Sequence, residues 1–464
     1  MASRVLLIST NRCDFPYPVF PLGLAYIDEA LRRAGHQTRW HDCQANPGPI
    51  GPVLAEFQPD FIALSLRNID DVVFKRQETY YGALVTLCQE IRTHTDRPVI
   101  LGGSGFSIFP EPLLTLSGAD YGIQGEGEAG IVELITALEE HREVSGVPGL
   151  VRRRDGRIVT TARRPLTLPT DPGVPWRLES LVKYYLAKSS MLNVQTQRGC
   201  ACECCYCTYP YLEGRHHRRR APEAIADEFE RLVRLGARYA FVVDSVFNSS
   251  PRHVIETCEA IIRRGVKLSW GCFLRPQGLT AEQMRLLARA GLTHIEFGTD
   301  SLCDPVLAAY GKRFTFDDVL ASSELARAEK VDFCHFLIVG GPGETMDTLR
   351  TSFANSRRIE GGVFLALPGM RVYPGTPLFD IARTGRPCPE VHDLLEPHFY
   401  FAPGLDADSL QAEMRKFSAV ATQWIVTEPT PDYYRMADRL RQKGVVGPLW
   451  SYLALLQRIM PSPR

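Results

Sequence analysis

Residues 193–207 read Asn193-Val194-Gln195-Thr196-Gln197-Arg198-Gly199-Cys200-Ala201-Cys202-Glu203-Cys204-Cys205-Tyr206-Cys207. The run Asn193–Gly199 reads as a strand, and it empties directly into five cysteines within eight residues. Cys200, Cys204 and Cys207 have the spacing C-x3-C-x2-C, at which thiolates on one loop can converge on a compact metal centre. Three ligands rather than four is informative, because a four-iron cluster held by three cysteines keeps one iron open for a further ligand. A structural zinc site is the alternative reading. Zinc normally takes four protein ligands, often as two separated pairs, and the later cysteines form no second pair.

Downstream of this loop the strand-like runs Tyr239–Asp244, Leu268–Leu274, His294–Thr299, Cys334–Gly340 and Gly362–Leu367 alternate with helical patterns at Pro222–Leu235, Arg252–Arg264, Ala281–Ala290, Asp317–Glu329 and Thr345–Arg358. Together with Asn193–Gly199 these make six βα units, the spacing of a partial (β/α)6 barrel of TIM type, whose chemistry gathers at the carboxyl ends of its strands. Upstream, Val5–Ser9, Thr38–Cys43, Phe61–Leu66, Val99–Gly103 and Tyr121–Gly125 read as strands with little polar alternation, and Pro21–Ala34 as a helix with Leu24, Ile27, Leu31 and Ala34 on one face. That pattern predicts an α/β, doubly wound, Rossmann-like parallel sheet, with ligands at the carboxyl edge. The glycines of Gly102-Gly103-Ser104-Gly105 and Gly125-Glu126-Gly127-Glu128 fall at that edge, where they serve either close backbone approach to a ligand or simply turns. The expected division is 1–145, a linker or subdomain at 146–190 with a hairpin-like basic run Arg152–Arg157, the barrel at 191–390, and a mostly helical segment at 391–464 with helices over Gln411–Val426, Tyr433–Lys443 and Leu449–Met460.

Composition narrows the function class. The chain has 464 residues, 45% hydrophobic and 23% charged, with 53 basic and 53 acidic side chains. A formal net charge of zero leaves no electrostatic footprint for nucleic acid. No apolar run approaches the ~18 residues of a membrane span, and the first apolar run is too short for a signal peptide, so the expected location is the cytoplasm. Thirteen cysteines, an odd number, argue against a disulfide framework. The eight outside the cluster (Cys13, Cys43, Cys88, Cys258, Cys272, Cys303, Cys334 and Cys388) read as small buried hydrophobes.

With an aromatic, Tyr206, before its last cysteine, the loop resembles the defining motif of the radical S-adenosylmethionine (radical SAM) enzymes. Further segments look like that family's barrel: Asp244-Ser245 after the second strand, Arg275 after the third, Gly298-Thr299-Asp300-Ser301 after the fourth, Gly340-Gly341-Pro342-Gly343-Glu344-Thr345 after the fifth and Tyr373-Pro374-Gly375-Thr376-Pro377 after the sixth. Asp300 stands where many relatives have Glu. The resemblance implies a [4Fe-4S] cluster on Cys200, Cys204 and Cys207, with Cys202 and Cys205 as non-ligands. It also implies S-adenosyl-L-methionine around Tyr206, Asp244, Ser245, Arg275, Asp300, Ser301 and Gly341. The open iron would bind the amino and carboxylate groups of S-adenosylmethionine, whose reductive cleavage gives a 5′-deoxyadenosyl radical.

Pro21-Leu22-Gly23-Leu24, Asp42, Pro59-Asp60, Gly102-Gly103, Gly118-Ala119-Asp120 and Gly125–Glu128 resemble the cobalamin-binding domain that precedes the barrel in one class of this family. Cobalamin is expected on Gly23, Leu24, Ser65, Leu66, Gly102, Gly103, Ser104, Gly125, Glu126, Gly127 and Glu128. The sequence has no Asp-x-His-x-x-Gly, so a histidine on the lower cobalt face is not expected. Arg215 and His216 could grip an anionic substrate group or belong to a solvated loop; Tyr400 could cover the barrel mouth or pack the tail. His294 and His335 sit inside strand patterns and read as core residues.

The leading expectation is a C-methyltransferase for a small molecule, lipid precursor or peptide, fed by a flavodoxin- or ferredoxin-type electron donor. Rearrangement, cyclisation or oxidation with the same cofactors is the alternative, and a non-catalytic cobalamin- or cluster-binding protein belongs to another class.

Overall fold

The computed structural model describes residues 2–14, 17–164, 178–384, 390–426 and 431–452, with only the backbone of 431–434. Cys388 and most of the Leu449–Met460 stretch lie outside the described residues. The chain forms two compact units, one made of Met1–Lys188, Thr208–Gly214 and Pro389–Pro397, the other of Ser189–Cys207, Arg215–Cys388 and His398–Arg464.

The first unit is built on strands β1 (Arg4–Ser9), β2 (Gln37–Asp42), β3 (Phe61–Ser65), β4 (Val99–Gly102), β5 (Tyr121–Ile123), β6 (Leu150–Arg154) and β7 (Arg157–Thr160) in the order β2-β1-β3-β4-β5-β6-β7. The first five are parallel, and β6 and β7 extend the sheet as an antiparallel hairpin. The basic run Arg152–Arg157 is that hairpin, turning at Asp155-Gly156, and it belongs to the sheet rather than to a separate linker. Val5, Leu6, Leu7 and Ile8 are all fully buried, as a strand covered on both faces requires. The helix Leu22–Arg33 lays Leu24 and Leu31 on Val5, Leu7, Ile100 and Ile123, and the helix Glu128–Glu139 adds Ile131, Leu134 and Ile135 to the same core.

The second unit contains β8 (Leu192–Val194), β9 (Gln197–Arg198), β10 (Arg218–Arg219), β11 (Tyr239–Val242), β12 (Ser269–Leu274), β13 (Leu292–Asp300), β14 (Asp332–Val339), β15 (Val363–Pro368), β16 (Met370–Arg371), β17 (Phe399–Tyr400) and β18 (Trp424–Ile425). Its main sheet runs β18-β15-β14-β13-β12-β11-β8, parallel throughout. The six expected strands are present and a seventh joins them. The expected helix Gln411–Val426 is a helix over Ala407–Ser418 followed by β18, which pairs with β15. Buried Trp424 drives this, its indole donating to Ser356 Oγ at 2.9 Å and stacking on Phe364.

Side-chain alternation separates the two faces of this sheet. On β14, His335 is stacked between Phe297 and Phe364 and hydrogen-bonds at 3.1 Å to Ser323 of the helix Phe316–Ala328, so its face is the one the helices cover. Cys334, Phe336 and Ile338 therefore face inward, as do their register partners Val363, Leu365 and Leu367 on β15. Phe273 on β12 pairs with Glu296 on that inner face and packs edge-on against Phe241. The barrel interior is thus largely apolar and aromatic, and Leu367 is 42% exposed.

Candidate active site

The cysteine loop is held by its neighbours in the second unit. Asp244, fully buried after β11, accepts Thr196 N at 2.6 Å, Gln197 N at 3.2 Å and the Thr196 hydroxyl, which also meets His253 Nε2 at 2.8 Å. This fixes the chain entering the loop. On the exit side, Cys205 N donates to Tyr310 O at 3.0 Å and Leu378 N donates to Cys205 O at 2.8 Å. Gly311, at φ +76°, lies so close beneath the loop that a Cβ there would fall 2.3 Å from Glu203 O. Only glycine fits this position.

The five cysteines differ in their surroundings. Cys200 is buried, and its thiol receives hydrogen bonds from Cys202 and Ser245 that bring its pKa down to about 6. Cys204 is pushed up by burial and pulled back by Lys312. Cys205 turns into the core with its sulfur 3.9 Å from Met370 Sδ, and burial raises it to about 12. Cys202 leans on Cys200 and feels the Arg275 guanidinium. Among the described residues no group of three His, Cys, Asp or Glu side chains is gathered as for a single metal ion. An all-sulfur donor set on a single loop suits an iron–sulfur cluster.

The other expected S-adenosylmethionine contacts divide. Tyr206 donates its hydroxyl to Asp300, and Asp300 is ion-paired with Lys312, both acid and lysine being almost fully buried. Asp300 sits at φ +66° beside the register shift in β13; aspartate tolerates that left-handed conformation far better than most side chains. Ser245 bonds to Gly199 O at 3.1 Å, within the loop's base. Arg275 is half-buried with Nε unpartnered. Three of the expected contacts already have partners within the protein. Asp244 is spent on the backbone of Thr196 and Gln197. Ser301 is buried, meeting Ser352 and Cys303 N. Gly341 carries the Tyr310 ring where a Cβ would be, 2.5 Å from the hydroxyl.

At the carboxyl edge of the first unit, Asn11 follows β1, is 3% exposed, and has both side-chain polar atoms without a partner. Buried carboxamides are normally satisfied, so this one is shaped for an external polar group. Gly23 has nothing within 4 Å of a built Cβ, and Gly102 only Ile123 O at 3.8 Å. Open glycines and an orphaned amide fit a large, amide-rimmed cofactor such as cobalamin. Ser65 and Ser104 also reach this edge, Ser104 bonding to Arg67 O at 2.7 Å. Gly125 N donates to Ser107 Oγ at 2.9 Å, and Gln124 donates to Ser107 O at 3.0 Å and to the Tyr211 hydroxyl at 2.6 Å, so the Gly125–Gly127 turn is tied down. Leu24 and Leu66 are buried, and Glu128 is buried in the first turn of its helix. Arg215 and His216 are exposed, and Tyr400 pairs with Met370 in the β16–β17 ribbon.

Gly103 and Gly102 play different parts. Gly103 has φ +96° and a Cβ there would be 2.4 Å from Leu66 O, so the turn itself demands glycine. Gly103→Leu is expected to lower the urea midpoint of the apoprotein. Gly102→Leu should keep the wild-type midpoint and lose corrin absorbance after gel filtration with hydroxocobalamin. Retained corrin in a folded Gly102→Leu protein would remove Gly102 from the site.

Sequence reasoning missed Asn11, Tyr310, Gly311 and Lys312. The only available signal was the Tyr-Gly-Lys turn after a short helix.

Known proteins fit this geometry. The family model for the radical SAM superfamily matches residues 194–354, and that for the B12 binding domain matches residues 9–135. Tryptophan 2-C-methyltransferase of Streptomyces laurentii is 24% identical over 437 residues, covering 80% of this chain and 73% of its own. The anaerobic magnesium-protoporphyrin IX monomethyl ester cyclase of Cereibacter sphaeroides is 28% identical, covering 72% of this chain and 55% of its own. A radical S-adenosylmethionine methyltransferase of Kitasatospora setae, solved with cobalamin and a [4Fe-4S] cluster bound, superposes with a TM-score of 0.88 at 25% identity, covering 99% of each chain.

Proposed function

The chain belongs to the radical SAM enzymes that carry a cobalamin-binding domain, and on that footing we propose that it transfers a methyl group to carbon on an apolar, ring-bearing small molecule. Its cofactors are a [4Fe-4S] cluster, S-adenosyl-L-methionine and cobalamin. The observation that carries the reading is the three-cysteine loop set after β8 and β9 in a barrel lined by Phe241, Phe273, Phe336, Ile338, Leu365 and Leu367.

When bound, these groups supply one-electron reduction, the methyl donor and a cobalt centre for methyl transfer. The protein's own part is binding and exclusion. Cys200, Cys204 and Cys207 hold the cluster, with Tyr206 and Asp300 bracing its loop and Arg275 beside it. Asn11, Gly23 and Gly102 hold the corrin. The aromatic wall binds the substrate by area and keeps water from a reactive intermediate, contributing roughly 25 cal/mol per Å² of apolar surface covered. Arg215 and His216 are exposed and are not among the proposed substrate contacts.

The electron source is a flavodoxin- or ferredoxin-type donor, and the location is the cytoplasm, where the thiols stay reduced. No described helix is long and apolar enough to cross a membrane.

The test uses protein reconstituted anaerobically with iron, sulfide and hydroxocobalamin, given methyl-deuterated S-adenosylmethionine, a reductant and a panel of indole, porphyrinoid and polycyclic compounds. Label is expected in one product class, with S-adenosylhomocysteine formed alongside. An unlabelled product with 5′-deoxyadenosine and no S-adenosylhomocysteine would overturn methylation in favour of cyclisation or oxidation.

A further inference from the structure

Lys312 is an ammonium in an apolar setting, with its side chain only 6% exposed. Burying such a charge costs several kcal/mol unless it is paired and fully hydrogen-bonded. Its N–H donors reach the Asp300 carboxylate and Gly298 O at 3.2 Å, and its charge lies near enough to the Cys204 thiol for each to shift the other's titration. The ring of Tyr206 lies 5.6 Å away and that of Phe314 6.0 Å away. Tyr310 and Gly311, immediately before it, are the residues that clasp the cysteine loop, so the ammonium is held in register with Cys204.

The Tyr206 hydroxyl also donates to that carboxylate, so Asp300 ties the ammonium to the cysteine loop itself. Resting on the cluster assignment above, we propose that Lys312 is a positioning residue that raises the reduction potential of the cluster by holding a buried positive charge beside the Cys204 ligand. Adding an electron to an iron–sulfur cluster increases negative charge on its sulfurs, and nearby hydrogen-bond donors and cations stabilise that reduced form. Asp300 opposes this effect and limits it. The pair therefore acts as an oriented dipole whose positive end faces the ligand.

The opposed charges make the test sharp. Wild type, Lys312→Met, Lys312→Arg and Asp300→Asn are reconstituted anaerobically with iron and sulfide, without S-adenosylmethionine, and titrated while the reduced-cluster EPR signal is followed. Lys312→Met is expected to hold wild-type iron and lose about tenfold in the one-electron reduction constant, a shift of about 59 mV to more negative potential. Lys312→Arg should recover most of that shift, and Asp300→Asn should move the midpoint the other way. An unmoved midpoint in an iron-loaded Lys312→Met protein overturns the proposal. If that variant loads no iron, Asp300→Asn decides: a midpoint unmoved or shifted negative overturns it, and a positive shift supports it. A wild type that binds no iron refutes the cluster assignment itself, a distinguishable failure that takes the inference with it.

Discussion

Alanine at both Cys202 and Cys205 is expected to leave about four irons per chain after anaerobic reconstitution, whereas Cys204→Ala alone loses the cluster. The geometry gives each thiol a separate reason. Cys205 is turned into the core against Met370, and its backbone N–H and C=O are both engaged by Tyr310 and Leu378, so rotating its sulfur toward the loop would break that packing. Cys202 stands beside Cys200 and donates to it. Its loss removes part of what makes Cys200 a ready thiolate, so loading of the double variant should slow toward neutral pH and still complete near pH 8. Iron and sulfide analysis with the visible absorbance of the cluster reads both variants. Loss of iron in the double variant together with retention in Cys204→Ala would reverse the ligand assignment.

The contrast between the cysteine loop and its surroundings shows what sequence carries. The spacing of Cys200, Cys204 and Cys207 is a local property, and so are the apolar runs that became β11 to β15, each found within a few residues of its expected limits. Which way a side chain turns is not local. Asp244, Ser301 and Gly341 meet partners distant in sequence (Thr196, Ser352 and Tyr310) that no local pattern shows. Lys312 was invisible for the same reason: Gly298, Asp300 and the nearby Cys204 are brought to it only by the barrel. The seventh strand escaped because Trp424-Ile425 is two residues long, too short to show a period of two inside an apolar stretch that also suits a helix. Asn11 gave no signal, since one polar residue after a strand looks the same whether it faces solvent or a buried ligand edge.

Replacing Glu296 with glutamine is expected to stabilise the apoprotein at alkaline pH and to change little in acid. Glu296 lies on the inner face of β13, 7% exposed, and accepts the indole N–H of Trp450 at 3.0 Å. Among the described residues no balancing positive charge acts on it: His294 on the same face is held neutral by burial at about 4, and the thiols of Cys272 and Cys334 are pushed up. Burial therefore raises the Glu296 carboxyl from its ordinary 4.5 to about 7, with the Trp450 bond opposing. Because the folded pKa lies above the unfolded one, the native state binds the extra proton between these values. Stability from this group is complete below about pH 4.5 and is lost as pH rises through about 7. At about 1.4 kcal/mol per pKa unit, the loss by pH 8 is about 3 kcal/mol. Glutamine keeps an acceptor for Trp450 without a charge, so Glu296→Gln should match wild type near pH 4.5 and exceed it by up to about 3 kcal/mol at pH 8 in urea unfolding. Glu344, also raised to about 7 by burial, titrates in both proteins, so the difference between them isolates Glu296. A difference between the two urea midpoints that stays constant from pH 5 to pH 8 would show that Glu296 is ionised and solvated in the native barrel, and its place beneath Trp450 would have to be redrawn.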